Sequence, residues 1–123
     1  MALSSGNWTV AFLNGDRLTD TVVASRKKYV HLKLTMASGQ WPSAGVQMPS
    51  AGSAGLVRNL DTYILNATPS PTASTNYTWH LTTGLKLRVF KARLTTVTGA
   101  VAAVQPATGT LAAKIFQVTA VGW

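Results

Sequence analysis

Apolar and polar residues alternate with a period of two through most of the chain, and that alternation predicts β-strands. It is cleanest over Tyr29–Met36, where Val30, Leu32, Leu34 and Met36 face one way and Tyr29, His31, Lys33 and Thr35 the other. Asn7–Leu13 forms a first strand with Trp8, Val10 and Phe12 on one face. Asn14-Gly15-Asp16 then reads as a hairpin turn, and Arg17–Ser25 continues extended around Val22 and Val23. A second hairpin is predicted over Tyr77–Ala92. Its arms are Tyr77–Leu81 and Leu85–Lys91, and its turn is Thr82-Thr83-Gly84, with Gly84 supplying the positive φ. Leu85, Leu87 and Val89 point to the core, while Lys86, Arg88 and Phe90, together with Tyr77 and Trp79, form the opposite face. Weaker strands are predicted at Thr62–Asn66, Thr95–Thr98 and Val101–Val104, and a closing strand at Ala113–Trp123.

Two stretches break the alternation. Ala37–Ser53 holds Pro42 and Pro49 among Gly39, Gly45 and Gly52, so it is a long loop in which Trp41, Val46 and Met48 are tethered to the sheet. Thr68–Asn76 is a second loop, and Leu56–Leu60 is a short helical turn. No heptad, long amphipathic helix or internal repeat occurs. The expected architecture is all-β: a single-domain β-sandwich or jelly-roll-like barrel over residues 1–123, with an N-terminal arm at 1–6, a long loop at 37–53, and other Pro/Gly-containing loops.

Composition changes this picture in two ways. Only 11% of residues are charged, and eleven Lys and Arg face three acids, Asp16, Asp20 and Asp61, for a net charge of +8. A charge-poor surface fits a chain packed against other chains, and a basic balance fits a polyanionic or acidic neighbour. There is no cysteine, which removes disulfides and thiolate chemistry. The three acids suit turns and caps, and they are too few for a carboxylate-rich cation site. His31 and His80, both on outward strand faces, lack the partners of a triad or a zinc site. No phosphate-cradling glycine motif and no nucleophile elbow occurs. No catalytic residue, cofactor site or metal site is therefore expected, and the chain is not expected to be an enzyme. No run approaches the roughly 20 apolar residues of a membrane span, so no membrane partner is expected.

The basic residues Arg26, Lys27, Lys28, Lys33, Lys86, Arg88 and Lys91, with Tyr29, Tyr77, Trp79 and Phe90, suggest one basic-aromatic face of the kind that binds single-stranded nucleic acid. An acidic protein surface would satisfy the same charges.

Three segments carry a family resemblance. Gln40-Trp41-Pro42-Ser43-Ala44-Gly45-Val46-Gln47-Met48-Pro49 is followed by Gly55-Leu56-Val57-Arg58-Asn59-Leu60-Asp61. Tyr77-Thr78-Trp79-His80 is followed by Leu85-Lys86-Leu87-Arg88-Val89-Phe90, and the chain closes on Ala120-Val121-Gly122-Trp123. Together they resemble the small β-rich decoration or cement proteins of tailed-bacteriophage capsids. The turn Thr82-Thr83-Gly84 departs from that pattern, where a longer polar turn is usual. The resemblance implies a non-enzymatic virion structural protein that binds and stabilises the major capsid protein lattice. It implies self-association as well, a homotrimer before a homodimer. It places the protein on the capsid surface, and in the host cytoplasm during assembly. The expected capsid or oligomer contacts are Trp41, Pro42, Val46, Met48, Trp79, Phe90 and Trp123. The alternative is a nucleic-acid-binding viral coat protein that packages RNA on a basic sheet; a third is a receptor- or carbohydrate-binding tip module.

Overall fold

The computed structural model describes residues 2–69, 77–93, 103–106 and 110–123, giving the backbone alone for 91–93 and 103–106. A turn of 3-10 helix, Ser5–Asn7, leads into β1 (Trp8–Phe12). The one-turn helix α1 (Arg17–Asp20) and β2 (Thr21–Ala24) follow, then the long β3 (Lys27–Met36). β4 (Gly39–Gln40) and β5 (Val46–Gln47) are two residues each, and β6 (Leu60–Ala67) restores regular length. β7 (Tyr77–Leu81) and β8 (Lys86–Arg93) form the hairpin. β9 (Ala103–Pro106), β10 (Thr110–Leu111) and β11 (Lys114–Gly122) complete the order. The chain is all-β, as the alternation predicts. The strands expected at Thr95–Thr98 and at the start of Val101–Val104 lie outside the described residues, as does most of the loop at Thr68–Asn76.

The large sheet has five strands in the order β1-β3-β11-β6, with β2 also on β3. The small sheet has four, with β8 between β7 on one side and β5 and β9 on the other. All these pairings are antiparallel. β4 pairs β10 as a separate clip. The inner faces of the two sheets share one core. Val30, Leu32, Leu34 and Met36 of β3, Phe116, Val118 and Ala120 of β11, and Leu87 and Val89 of β8 are all buried, as their alternation predicts.

The excursion between β1 and β2 differs from the sequence expectation. Asn14-Gly15 does not close a hairpin, because β1 and β2 do not pair with each other; both lie along β3. β1 runs to Phe12 opposite Leu32, and β2 resumes with Thr21 opposite Val30. The two are halves of one edge strand, and the residues between them loop out and return. Asp16 caps α1 by accepting from Leu18 N at 3.0 Å and Thr19 Oγ1 at 3.0 Å. Asp20, only 1% exposed, closes the excursion by accepting from Asn14 N and Asn14 Nδ2, both at 2.7 Å. The true hairpin turn comes next, at Ser25-Arg26, both in the left-handed region with φ of 50° and 68°. That is the geometry of a two-residue hairpin loop with no Asn-Gly to advertise it.

The long loop is held at both ends. Its two short strands fall outside its prolines, or between them: β4 precedes Pro42, and β5 sits between Pro42 and Pro49. Between β4 and β5, Gly45 takes φ +96° and donates to Pro42 O at 2.9 Å. A Cβ at Gly45 would meet Leu87 O at 2.9 Å, so only glycine lets β5 lie this close to β8. Leu56–Leu60 forms no helix; Gly55 turns at φ +83° and β6 starts at Leu60.

Tyr63 on β6 is buried, and its hydroxyl donates to Pro49 O at 2.7 Å, pinning the far end of the loop. Burial pushes its pKa well above the ordinary phenol value of about 10. The folded state then keeps a proton that the unfolded chain releases. This contribution is intact below about pH 10 and is lost as pH rises through the raised value. Tyr63→Phe is expected to lose about 1 kcal/mol at neutral pH. It should also show a shallower fall in stability above about pH 10 than the parent, as measured by urea unfolding at stepped pH.

Candidate interaction surfaces

The expected contact residues separate by burial. Trp41, Val46 and Met48 are corrected from partner contacts to core residues, since all three are buried. Trp41 fills the space between the sheets, edge-on to Trp8 at 6.1 Å, Trp79 at 5.2 Å and Phe116 at 6.5 Å between ring centroids. An aperiodic loop crossing over two sheets brings its apolar side chains inward, so they have nothing left to offer a partner. Pro42 is half-buried at the Gly45 turn.

Trp79 and Tyr77 also change face. In the hairpin register Trp79 lies opposite Val89 and Leu81 opposite Leu87, so Tyr77, Trp79 and Leu81 share the core side. Trp79 is half-buried and meets Phe116 at 4.8 Å, near-perpendicular. Directly opposed residues of an antiparallel pair share a face, and the turn decides which residues oppose. Here Thr82 N donates to Lys86 O at 2.9 Å, which closes a three-residue loop, Thr83-Gly84-Leu85. Leu85, at φ 58°, takes the left-handed conformation expected of Gly84.

The outer face of the small sheet therefore carries Thr78 and His80 against Phe90 and Arg88. The Arg88 guanidinium sits 4.7 Å from the Phe90 ring centroid, and its Nε donates to Ser43 O at 3.0 Å. Lys86 is exposed on the same side, and the Lys91 side chain lies outside the described residues. Lys33 is on the outer face of the large sheet, beside Ala11 and Gln117. Lys27 is there too, paired with Asp61 of β6. Arg26 and Lys28 are at the end of that sheet, by the β2–β3 turn. The basic residues thus lie on two outer faces and one end. They do not form a single platform with Tyr77 and Trp79.

The outer face of the large sheet spans five strands, and its rows follow from the register. Thr9, Thr35 and Ile115 lie side by side, then Ala11, Lys33 and Gln117. Leu13 is tied to His31 by a bond from its N to His31 O at 3.1 Å, and the row runs on through Thr119 to Ile64. Val22, Tyr29, Val121 and Thr62 complete it. Ile64 and Ile115 stand 48% and 55% exposed. Asn66 Nδ2 donates to Thr119 Oγ1 at 2.7 Å, and Thr119 Oγ1 is 2.9 Å from His31 Nδ1. In the middle of the face Asn66, Thr119 and His31 are therefore braced against one another.

No protein-family model matches the chain, and neither does any curated protein or solved structure. Beside the loop the surface is indented by a recess. That recess, of 360 Å³, lies between the N-terminal turn and the loop and is lined by Ser5, Gly6, Trp8, Met48, Ser50 and neighbours, with no titratable side chain. Among the described residues no group of three or more His, Cys, Asp or Glu is placed to hold a metal, and no helix is long and apolar enough to cross a membrane.

Phe90 stays on the outer face of the small sheet, and Trp123 also remains an expected contact at the surface, 39% exposed at the end of β11. The Trp123 carbonyl accepts from Val57 N at 2.6 Å and Arg58 N at 2.9 Å, which fixes Val57 and Arg58 beside it. Sequence reasoning passed over Val57 and Arg58, and also Arg17, Leu18 and Val23 at the same end. The one signal available was two apolar side chains, Leu18 and Val23, in a stretch with too little regular structure to bury them.

Proposed function

We propose that the chain is a non-enzymatic structural protein of a virion, a small β-sandwich that decorates the capsid and holds neighbouring subunits of the major capsid protein. The reading is carried by the outer face of the large sheet: Ile64 and Ile115 are exposed there around a centre in which Asn66, Thr119 and His31 bond to one another. Such a surface is stabilised by burial at about 25 cal/mol per Å², and small gains multiply over a repeated lattice. The resemblance of the loop, hairpin and closing strand to decoration proteins points the same way, as does a chain with 11% charged residues. Self-association, as a trimer before a dimer, belongs to the same proposal.

The test is co-sedimentation with capsids. The parent protein is expected to bind and to raise the temperature at which particles disrupt. Ile64→Lys/Ile115→Lys is expected to lose binding while keeping the melting behaviour of the free protein, because both side chains are exposed. Undiminished binding by that variant, or particles equally stable without the protein, would defeat the proposal. Binding to RNA that collapses steeply with added salt would move the assignment to a packaging coat protein.

A further inference from the structure

One end of the large sheet combines features that the lattice-facing surface lacks. A groove of 360 Å³ is walled by Arg17 and Leu18 of α1, Thr21 and Val23 of β2, and Lys28 of β3. Leu18 is 87% exposed and Val23 66%, so both aliphatic side chains stand in solvent at the rim of a concave site. Arg17 is oriented by donating from Nη2 to Gly55 O at 3.4 Å, and Lys28 is half-buried. Thr21 Oγ1 is buried with no hydrogen-bond partner among the described residues.

Neither Arg17 nor Lys28 forms an ion pair among the described residues, and the chain's three acidic side chains are each held by other groups. Asp16 caps α1, Asp20 is buried on Asn14, and Asp61 takes Lys27. A second copy would bring the same deficit and another +8 of charge, so self-association does not neutralise this end. Nucleic acid is served by aromatic platforms, and this lining has none. A membrane surface is met by a broad apolar face, whereas this site offers two aliphatic side chains at the rim of a groove.

We infer that the groove between α1 and β2 is a docking site for an acidic, amphipathic segment of a partner protein. An aliphatic side chain of the partner lies between Leu18 and Val23, and flanking carboxylates pair with Arg17 and Lys28. The arginine suits a carboxylate because its planar fork binds both oxygens. The inference does not depend on the lattice proposal: it concerns the other side of the fold and needs no capsid.

The experiment uses the full chain, isotope-labelled, titrated with a synthetic peptide in which two leucines are set among six aspartates and glutamates. Amide shifts are expected to concentrate in residues 17–28, and affinity is expected to fall as salt is raised. Leu18→Ser and Lys28→Ser are each expected to weaken binding about tenfold, a change of about 1.4 kcal/mol. A peptide with serine in place of both leucines should bind correspondingly worse. Leu18→Ser changes an exposed residue, so its melting temperature should match the parent. Shifts centred on Lys33 or Arg88, parent-like affinity in either variant, or tighter binding at this groove by an RNA oligonucleotide or by phosphatidylglycerol vesicles would each overturn the inference.

Discussion

Trp41→Ala is expected to remove about 3–5 kcal/mol of stability and to lower the melting temperature by roughly 10–20 °C. The indole is 1% exposed and lies where the large sheet, the small sheet and the loop meet, edge-on to Trp8, Trp79 and Phe116. Removing it leaves a space that three rings cannot close without breaking their edge-to-face contacts, each worth about 0.5–1.5 kcal/mol beyond burial. Trp41→Phe should keep part of the packing and fall between. Trp123→Ala is the control: it trims a partly exposed side chain and leaves all three backbone hydrogen bonds of Trp123 in place, so a change of under about 0.5 kcal/mol is expected. Calorimetry on the free protein decides the matter. A Trp41→Ala protein that melts like the parent would mean that the indole is not the centre of the core.

The second large effect is expected at Asp20. Its carboxylate is buried, forms no ion pair among the described residues, and holds Asn14 through two 2.7 Å hydrogen bonds. Asp20→Ala removes both acceptors and leaves the Asn14 donors unanswered, which should cost about 2–4 kcal/mol. Asp20→Asn keeps a single carbonyl acceptor and should cost about half as much. The damage should be local before it is global: amide hydrogens of residues 14–20 should exchange faster while those of β3 and β11 stay protected. Because Arg17 and Leu18 ride on that excursion, acidic-peptide binding should weaken in the same variant. Uniform loss of protection across the sheets would mean that Asp20 supports the whole fold rather than the excursion.

The legible parts of this protein were the ones with a strict period. Tyr29–Met36 placed Val30, Leu32, Leu34 and Met36 in the core and Lys33 outside, as alternation requires. Phe116, Val118 and Ala120 behaved in the same way. Errors arose where a neighbour, not the local sequence, sets the outcome. Asn14-Gly15 is a strong hairpin signal, yet the strand before it and the strand after it both prefer β3, so the turn opens an excursion instead. Trp79 looked outward because its face depends on the hairpin register, which moved when Leu85 took the left-handed position. Trp41, Val46 and Met48 lie in a segment with no period, where sequence does not separate core from contact. The docking groove is built from a single helical turn and a four-residue strand, below the length at which periodicity carries information.

The place of β11 in the large sheet has a consequence for how the chain matures during synthesis. It is last in chain order among the described strands, yet it sits inside the sheet, between β3 and β6. Until it leaves the ribosome, β3 and β6 have no strand to join them, and the apolar face of β3 stays open on that side. The large sheet is therefore incomplete until β11 has been made, and β11 then joins β3 to β6 in one step. Hydrophobic β3 must be kept from other chains during that wait, which makes chaperone engagement a control point for yield.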